Sequence, residues 1–354
     1  MSKYMLAKKQ KPLAFQPSFI RRLLAVQSRS RTLLFIVALL FCIVNAKTQG
    51  ASTDSTKATL LFQTIRLGDA AKLEVLLKAS ANPNAVMDSY SALMAAALNG
   101  SAEEIKLLLD YGADLNYRNV DSITALWLAV PDQEKTVLLL ERGAKPGVRS
   151  REGNTVLVKL AGIPGSAGLM QQLIEKGCSP RSSGFNNDIM YNAAMSGDTA
   201  IVDLLIRYGV SVSDTSFLGD YPVNAAVNYR CFSTLQMLVE HGADVNVSPK
   251  NAVLPLLIGI TPLMWAAISN DKPSFFYLLD HGANPNARSP RGYTPLMFLA
   301  MANVDDPEMT LALIKHGADP GMQAPDVTDA LFYASQKGNT KSVEILSNYK
   351  QQKH

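Results

Sequence analysis

A short helix-start phrase recurs along the chain at a nearly constant spacing. Its copies open at nine residues: Thr59, Ser91, Thr124, Thr155, Asp188, Tyr221, Thr261, Thr294 and Asp329. Successive copies are 31 to 35 residues apart, except for one interval of 40 residues before Thr261. A fixed period of this length predicts one supersecondary unit stacked many times, in which each unit buries its apolar surface against its neighbours.

Each unit contains the residues that begin and end a pair of helices. In the well-preserved copy at Thr261, the hydroxyl can accept a free N–H of the first turn, and Pro262 takes the first helical position, where it loses no hydrogen bond. A second helix with dense aliphatic residues follows and ends in a Gly-Ala-Asp or Gly-Ala-Asn phrase, as at Gly282. Glycine just past a helix end adopts the left-handed conformation that terminates the helix. Each unit is therefore predicted to be a helix pair followed by a turn.

The two phrases, in register and at this mutual spacing, resemble the ankyrin repeat over about residues 57–350. The resemblance implies an all-α solenoid of about nine helix-turn-helix repeats with protruding β-hairpin fingers and a concave groove that binds a protein partner. We expect the repeat domain to span residues 58–350, after a flexible lead-in at 47–57 and before a polar tail at 351–354. We also expect a monomer.

Some copies depart from the pattern. The fourth repeat contains the glycine-rich run 161–168, which predicts a short first helix and a loose connection. The fifth repeat, starting at Asp188, lacks the Thr-Pro pair. The long interval before Thr261 inserts about seven residues within 247–260, from which we expect a slight irregularity in the stack rather than a break into two domains.

The first 46 residues have a different composition from the repeats. They carry eight basic and no acidic residues, and an unbroken apolar run of 12 residues, Leu33–Val44, leads to the small residue Ala46. This order predicts a secretory signal peptide. An uncleaved signal anchor is the alternative, but a 12-residue helix rises only ~18 Å, against a hydrocarbon core of ~30 Å. A mitochondrial presequence is also basic and acid-free, although the apolar run argues against it.

Both export readings place the repeats on the far side of a membrane. We expect a bacterial protein that is exported to the periplasm or secreted; the alternative is anchoring in the inner membrane with the repeats outside the cytoplasm. Contact with the membrane is expected only through the N-terminal segment. The chain carries 34 basic and 30 acidic residues, and residues 47–354 carry 26 and 30. The basic excess thus belongs to the first 46 residues, and the repeats give no general signal for nucleic acid.

The residues that usually carry chemistry have structural explanations here. His241, His281 and His316 each precede the terminal glycine of a repeat, where a cation favours the negative end of a helix. Equivalent positions should lie ~10 Å apart, too far to share a metal ion. Cys178 and Cys231 are two repeats apart, so we expect both to be unpaired. The sequence has no paired-Cys motif, phosphate-binding loop, HExxH or Gly-x-Ser-x-Gly phrase. We expect no enzyme activity, cofactor or metal site.

Two connections are candidates for binding a partner. The first, named the basic finger, is Gly147–Gly153 and contains Arg149 and Arg151, which suit an acidic partner. Its alternative explanation is an ordinary solvated face. The second, named the long finger, is Ser248–Ile260, with four candidate contact residues: Leu254, Leu256, Leu257 and Ile258. Exposed apolar stretches often mark partner sites, but these aliphatic side chains could instead fold back on neighbouring repeats.

Aromatic and methionine residues of the first helices are a weaker signal. Some of the aromatic residues are expected to line the groove, but burial in the core is the commoner fate of this set: Trp127, Tyr191, Trp265, Phe298 and Tyr333. Met94, Met264 and Met297 are expected to fill gaps in the core.

These observations predict an exported, non-enzymatic scaffold that grips one protein through fingers and groove. Two alternatives stay open: a membrane-anchored accessory that regulates or protects an enzyme, and a secreted ankyrin effector directed at a host cell.

Overall fold

The computed structural model describes residues 53–181, 188–249 and 258–352, which form eighteen helices in nine consecutive pairs. The first helices of the pairs are α1 Thr53–Leu67, α3 Ala92–Asn99, α5 Ala125–Ala129, α7 Val156–Ala161, α9 Ile189–Ser196, α11 Pro222–Asn228, α13 Pro262–Ser269, α15 Pro295–Ala300 and α17 Ala330–Lys337. The second helices are α2 Ala70–Lys78, α4 Ala102–Asp110, α6 Gln133–Glu141, α8 Ala167–Glu175, α10 Thr199–Arg207, α12 Phe232–Glu240, α14 Lys272–Asp280, α16 Pro307–Lys315 and α18 Thr340–Gln352.

Along most of the described array, first helices pack on first helices and second helices on second helices. The core lies between these two layers, where the aliphatic side chains are almost fully buried. The predicted all-α solenoid is therefore confirmed. Within the described residues, every helix is too short or too polar to cross a bilayer. The predicted signal peptide or signal anchor, residues 1–46, lies outside them.

The predicted helix starts agree with the structure in eight of the nine repeats. The hydroxyls of Thr124, Thr261 and Thr294 each accept a hydrogen bond from the main-chain N–H three residues later, as the capping argument requires. The prediction for Thr59 is wrong, because α1 begins at Thr53 and Thr59 lies inside it. No glycine or proline separates the two residues, so nothing in the sequence stops the helix from extending toward the N-terminus.

This longer helix also changes the predicted lead-in. Residues 47–57 were expected to be flexible, but the segment is helical from Thr53 onward. At the other end α18 runs to Gln352, so the first two residues of the predicted polar tail are helical as well.

The second helices end as the glycine and histidine positions predicted. Gly282 and Gly317 adopt left-handed conformations, with φ of +83° and +91°. The Nδ1 atoms of His241, His281 and His316 lie 2.8 to 2.9 Å from the carbonyl oxygens four residues earlier in their helices. The predicted position of these histidines at the ends of helices is confirmed. In the described ranges, no group of three His, Cys, Asp or Glu residues is placed to hold a metal ion.

Asparagine side chains link the turns of successive repeats into what we call the asparagine ladder. Asn286 Nδ2 donates to Gly317 O at 2.7 Å, and its Oδ1 accepts from Asp319 N at 2.8 Å. Asn84 and Asn246 make the same pair of bonds to the repeats that follow them. In the third, fourth and fifth repeats the equivalent positions hold Gly147, Arg181 and Ser213. The ladder is therefore interrupted in the middle of the array, where the helices of the third and fourth pairs also pack more sparsely.

Restoring the ladder at Ser213 should stabilise the protein. In Ser213→Asn, the new amide can donate to Gly242 O and accept from Asp244 N, by analogy with the neighbouring repeats, and should raise the free energy of unfolding by ~1 kcal/mol. Urea denaturation monitored by circular dichroism measures the change. Ser213→Ala is the matched control, because alanine can form neither bond. Equal stability of the two variants would show that the ladder adds nothing at this junction.

The fingers are mostly tight turns rather than strands. In the described residues, strands pair only between β1 Val86–Met87 and β2 Tyr90–Ser91, which are antiparallel with Val86 opposite Ser91. The finger at Ser289 instead closes with two main-chain bonds, Ser289 N to Tyr293 O at 2.9 Å and Gly292 N to Ser289 O at 2.7 Å. The basic finger has the same two bonds, starting from Ser150. The arms of such fingers are too short to form further strand pairs. In these fingers the predicted β-hairpins are therefore tight turns.

The fourth repeat agrees with its prediction in one respect and differs in another. Its first helix, α7, is short, with six residues. The connection after it is not loose, because Ser166 Oγ donates to Leu160 O at 2.8 Å and Gly165 N donates to Asp198 Oδ2 at 2.6 Å. These bonds tie the glycine-rich run to its own repeat and to the next, which the composition of the run alone does not reveal.

Candidate partner-binding surface

The row of fingers exposes apolar side chains along one edge of the array. Val120, Phe217 and Val327, each from a different finger, have 68%, 54% and 69% of their surface exposed. No sequence motif marks these residues, although each is an apolar residue in a turn that otherwise favours polar ones. Val120 and Phe217 are the second residues of their turns and Val327 is the fourth, and successive members of the set lie three repeats apart. They are therefore separate exposed tips on the same side of the array, each available to a partner that spans several fingers.

The first helices contribute less to this surface than their aromatic residues suggested. Trp265 and Phe298 are only 7% and 6% exposed, and Met94, Met264 and Met297 are fully buried, as predicted for core residues. The aromatic residues that stay half-buried are Trp127, Tyr191 and Tyr333.

The basic finger is fastened to the finger before it, Tyr117–Ile123. Arg151 N donates to Asp121 O at 2.7 Å, and Arg118 Nη2 donates to Arg149 O at 3.1 Å. Arg149 Nη1 donates across its own finger to Gly153 O at 2.9 Å. The structure therefore brings the two predicted arginines together with a third, Arg118, which lies outside the predicted basic finger.

These arginines differ in the exposure of their side chains. Arg149 is half-buried, whereas the side chains of Arg118 and Arg151 are exposed. None of the ion pairs formed between described residues includes Arg118, Arg149 or Arg151. The guanidinium groups of Arg118 and Arg149 are held by neutral carbonyl oxygens, which position the charge without neutralising it.

The long finger is described only at its base. Leu254, Leu256 and Leu257 lie outside the described residues. Ile258 is half-buried and packs against the core. Gly259 N donates to Pro249 O at 2.8 Å, so the two ends of the insertion are joined where they leave the array. The first helices on either side, α11 and α13, stack on each other, which agrees with an irregularity rather than a break.

A buried polar network lies between the fifth and sixth repeats, below the finger that carries Phe217. The carboxylate of Asp220, only 4% exposed, accepts from Asn224 Nδ2 at 2.7 Å and from Tyr221 N at 2.9 Å. Tyr191 also interacts with this carboxyl group. Burial raises the pKa of Asp220 above its ordinary value, and burial likewise raises the pKa of Tyr191.

Asp188 extends this network to the finger itself. Its Oδ1 accepts from Phe217 N at 2.6 Å, and burial raises the pKa of this carboxyl group too. As a result Asp188 does not cap its own helix α9 with its side chain. The departure of the fifth repeat from the Thr-Pro pattern therefore has a structural use, since the acid holds the next finger.

Other polar groups near the groove are occupied by structural bonds. Lys159 Nζ donates to Trp127 O at 2.9 Å and Val130 O at 2.8 Å, closing the end of the short helix α5, and burial lowers its pKa. Cys178 and Cys231 are both free, as predicted. Burial raises the pKa of the Cys178 thiol to about 11, so this residue is a neutral core thiol at physiological pH.

Comparison with known proteins agrees with this architecture. A family model described as ankyrin repeats matches in three copies, at residues 61–150, 157–249 and 263–354, and a second ankyrin-repeat model matches residues 223–279. No curated protein matches the chain.

Proposed function

Because the chain belongs to the ankyrin-repeat family, whose repeats are generally protein–protein interaction modules, we propose that it is an exported scaffold that binds one partner protein through its fingers and groove. Proteins of this family are typically non-enzymatic. The observation that carries the proposal is the exposure of an apolar side chain at three finger tips, Val120, Phe217 and Val327. Their turns are fixed by main-chain hydrogen bonds, so a partner meets a surface that loses little conformational entropy on binding.

Export is the part of the proposal that rests on sequence alone. The basic, acid-free segment and the apolar run Leu33–Val44 support it. N-terminal sequencing of the protein isolated from its own cells should give a mature chain that starts after Ala46. A chain that retains Leu33–Val44 in the membrane fraction would support the anchored alternative, and an intact chain in the soluble fraction would exclude both readings.

Partner binding is tested by capture with matched variants. The immobilised full chain is incubated with an extract of the cells that make it, and captured proteins are identified and quantified by mass spectrometry. Phe217→Ala should reduce the captured partner roughly fivefold or more, because truncating a buried aromatic contact commonly costs over ~1 kcal/mol. A deletion of 254–258 tests the long finger in the same assay.

Leu311→Ala is the control for these variants. Leu311 lies on the second helix α16 and is 53% exposed, almost the same fraction as Phe217. This variant should capture as much partner as the wild type. Equal loss in Phe217→Ala and Leu311→Ala, or no specific partner at all, would contradict binding through the fingers.

A further inference from the structure

We infer that the basic finger and the finger Tyr117–Ile123 together receive an acidic, extended segment of the partner protein, an inference that rests on the proposed function. We call this surface the arginine face and define it by Arg118, Arg149 and Arg151. Two hydrogen bonds join the fingers, Arg118 Nη2 to Arg149 O and Arg151 N to Asp121 O. The three arginines therefore belong to one rigid surface rather than to two independent loops.

Main-chain carbonyl oxygens orient two of the three guanidinium groups. Arg118 and Arg149 each donate one bond to a main-chain carbonyl, at 3.1 and 2.9 Å. A guanidinium carries five N–H donors, so most of them remain available to a ligand. Their charge is also fixed in place before binding, which reduces the entropy lost when a carboxylate pairs with them.

The segments around the arginine face carry a net positive charge. Residues 115–123, 145–154 and 179–181 carry five basic side chains and two acidic ones, Asp121 and Glu152. Residues 47–354 as a whole carry 26 basic and 30 acidic residues, so the arginine face opposes the general charge of the array. Elsewhere arginines pair with carboxylates, as Arg142 does with Asp110 and Arg207 with Asp203. The arginine face has no such internal partner among the described residues.

The spacing of the two fingers suits an extended peptide. Adjacent repeats lie about one helix width apart, ~10 Å, so the two fingers present their charges along a line that about three extended residues would cover. Carboxylates spaced along a peptide strand fit this geometry, and Arg binds carboxylates in a bidentate manner. A nucleic acid is disfavoured, because its phosphates would also approach the net acidic remainder of the array.

Fluorescence polarisation with the full chain tests the inference. The probes are a labelled eight-residue Glu-rich peptide, an eight-residue Lys-rich peptide and a single-stranded oligonucleotide, at an ionic strength of about 0.01–0.1 M, where the Debye length is about 30–10 Å. Only the Glu-rich peptide should bind well, and added salt should weaken its binding. Arg151→Glu should raise its Kd about tenfold, since the side chain is exposed and its loss leaves both joining bonds intact.

Arg291→Glu provides the matched control. Arg291 is an exposed arginine on another finger, and the variant makes the same change in net charge. Both variants also keep the eight basic residues of 1–46, so peptide bound there affects them equally. The Kd in Arg291→Glu should change less than about twofold.

Three results would overturn the inference. They are no binding of the Glu-rich peptide at low salt, an equal loss in the Arg151 and Arg291 variants, and tighter binding of the oligonucleotide that depends on Arg151. These results leave the proposed function separately testable, because the capture experiment scores a partner through Phe217 whether or not the acidic peptide binds. A wild type that captures a partner but ignores the peptide would refute only the acidic segment.

Discussion

Replacing Gly292 by alanine should lower the free energy of unfolding by about 2–5 kcal/mol. Gly292 has a φ of +75°, and a left-handed conformation costs a residue with a Cβ atom about 1–2 kcal/mol. The Cβ of an alanine would also lie 2.7 Å from Pro325 Cδ in the next finger, so that finger must move. Overpacking of this kind adds about 1–3 kcal/mol. Equilibrium denaturation in urea measures the loss.

Gly317→Ala separates the two contributions. Gly317 is also left-handed, with a φ of +91°, but a Cβ there would meet no atom within 4 Å. The free energy of unfolding of this variant should therefore fall by only ~1–2 kcal/mol, the cost of a left-handed conformation in a residue with a Cβ atom. If both variants lose the same amount, then the finger that carries Pro325 moves aside without a measurable cost.

Asp220→Ala should lower the free energy of unfolding by about 2–4 kcal/mol, because it removes one acceptor from several buried donors. Asn224 Nδ2 and Tyr221 N would lose their acceptor, and Tyr191 would lose the carboxyl group it interacts with, at a position where Asp220 is only 4% exposed. Thermal or urea denaturation at neutral pH measures the effect. A loss below ~1 kcal/mol would mean that these donors find other acceptors.

Asp220→Asn keeps the shape and the acceptor and removes the charge, so its stability should depend on pH differently from that of the wild type. The folded pKa of Asp220 lies above the unfolded value of 3.8, because burial disfavours the carboxylate. The protonated group therefore contributes its full stability below pH 3.8, and this contribution is lost as pH rises through the folded pKa. The stability of Asp220→Asn relative to the wild type should rise from pH 4 toward pH 7.

The other groups that face Asp220 are present in both proteins. They include Asn224 at hydrogen-bonding distance, with Tyr191, Tyr229 and Asp188 in the same network. The difference between wild type and variant therefore isolates the titration of Asp220. A pH-independent difference would show that the hydrogen bonds to the carboxylate balance the cost of burying it.

The sequence predicted most of the fold because its decisive residues act locally. Thr261 and Pro262 begin a helix through bonds within one turn, and Gly282 ends one through its own backbone conformation. The failure at Thr59 has the same origin, since the capping phrase is present but no residue before it stops the helix. A capping residue predicts the start of a helix well only when the residues before it also disfavour a helix.

The candidate surface was less predictable because it depends on contacts between repeats. Arg118 joins Arg149 and Arg151 only through a bond that spans 31 residues, and no local pattern reveals it. In the same way, Trp265 and Phe298 share their first-helix setting with half-buried aromatic residues, and only the packing of neighbouring helices shows that they are buried. For the basic finger, the sequence identified two of the three arginines because they lie in a single turn.

The interruption of the asparagine ladder has a consequence for how the array loses its structure. In a repeat protein each unit is stabilised mainly by its immediate neighbours, so the junctions determine how far order in one unit is transmitted to the next. The bonds of Asn84 couple the first repeats, and those of Asn246 and Asn286 couple the later ones, while Gly147 and Ser213 lack them. The two ends of the array should therefore unfold as separate cooperative blocks. Backbone amide hydrogens should exchange more slowly within these blocks than at the junctions that follow Gly147 and Ser213.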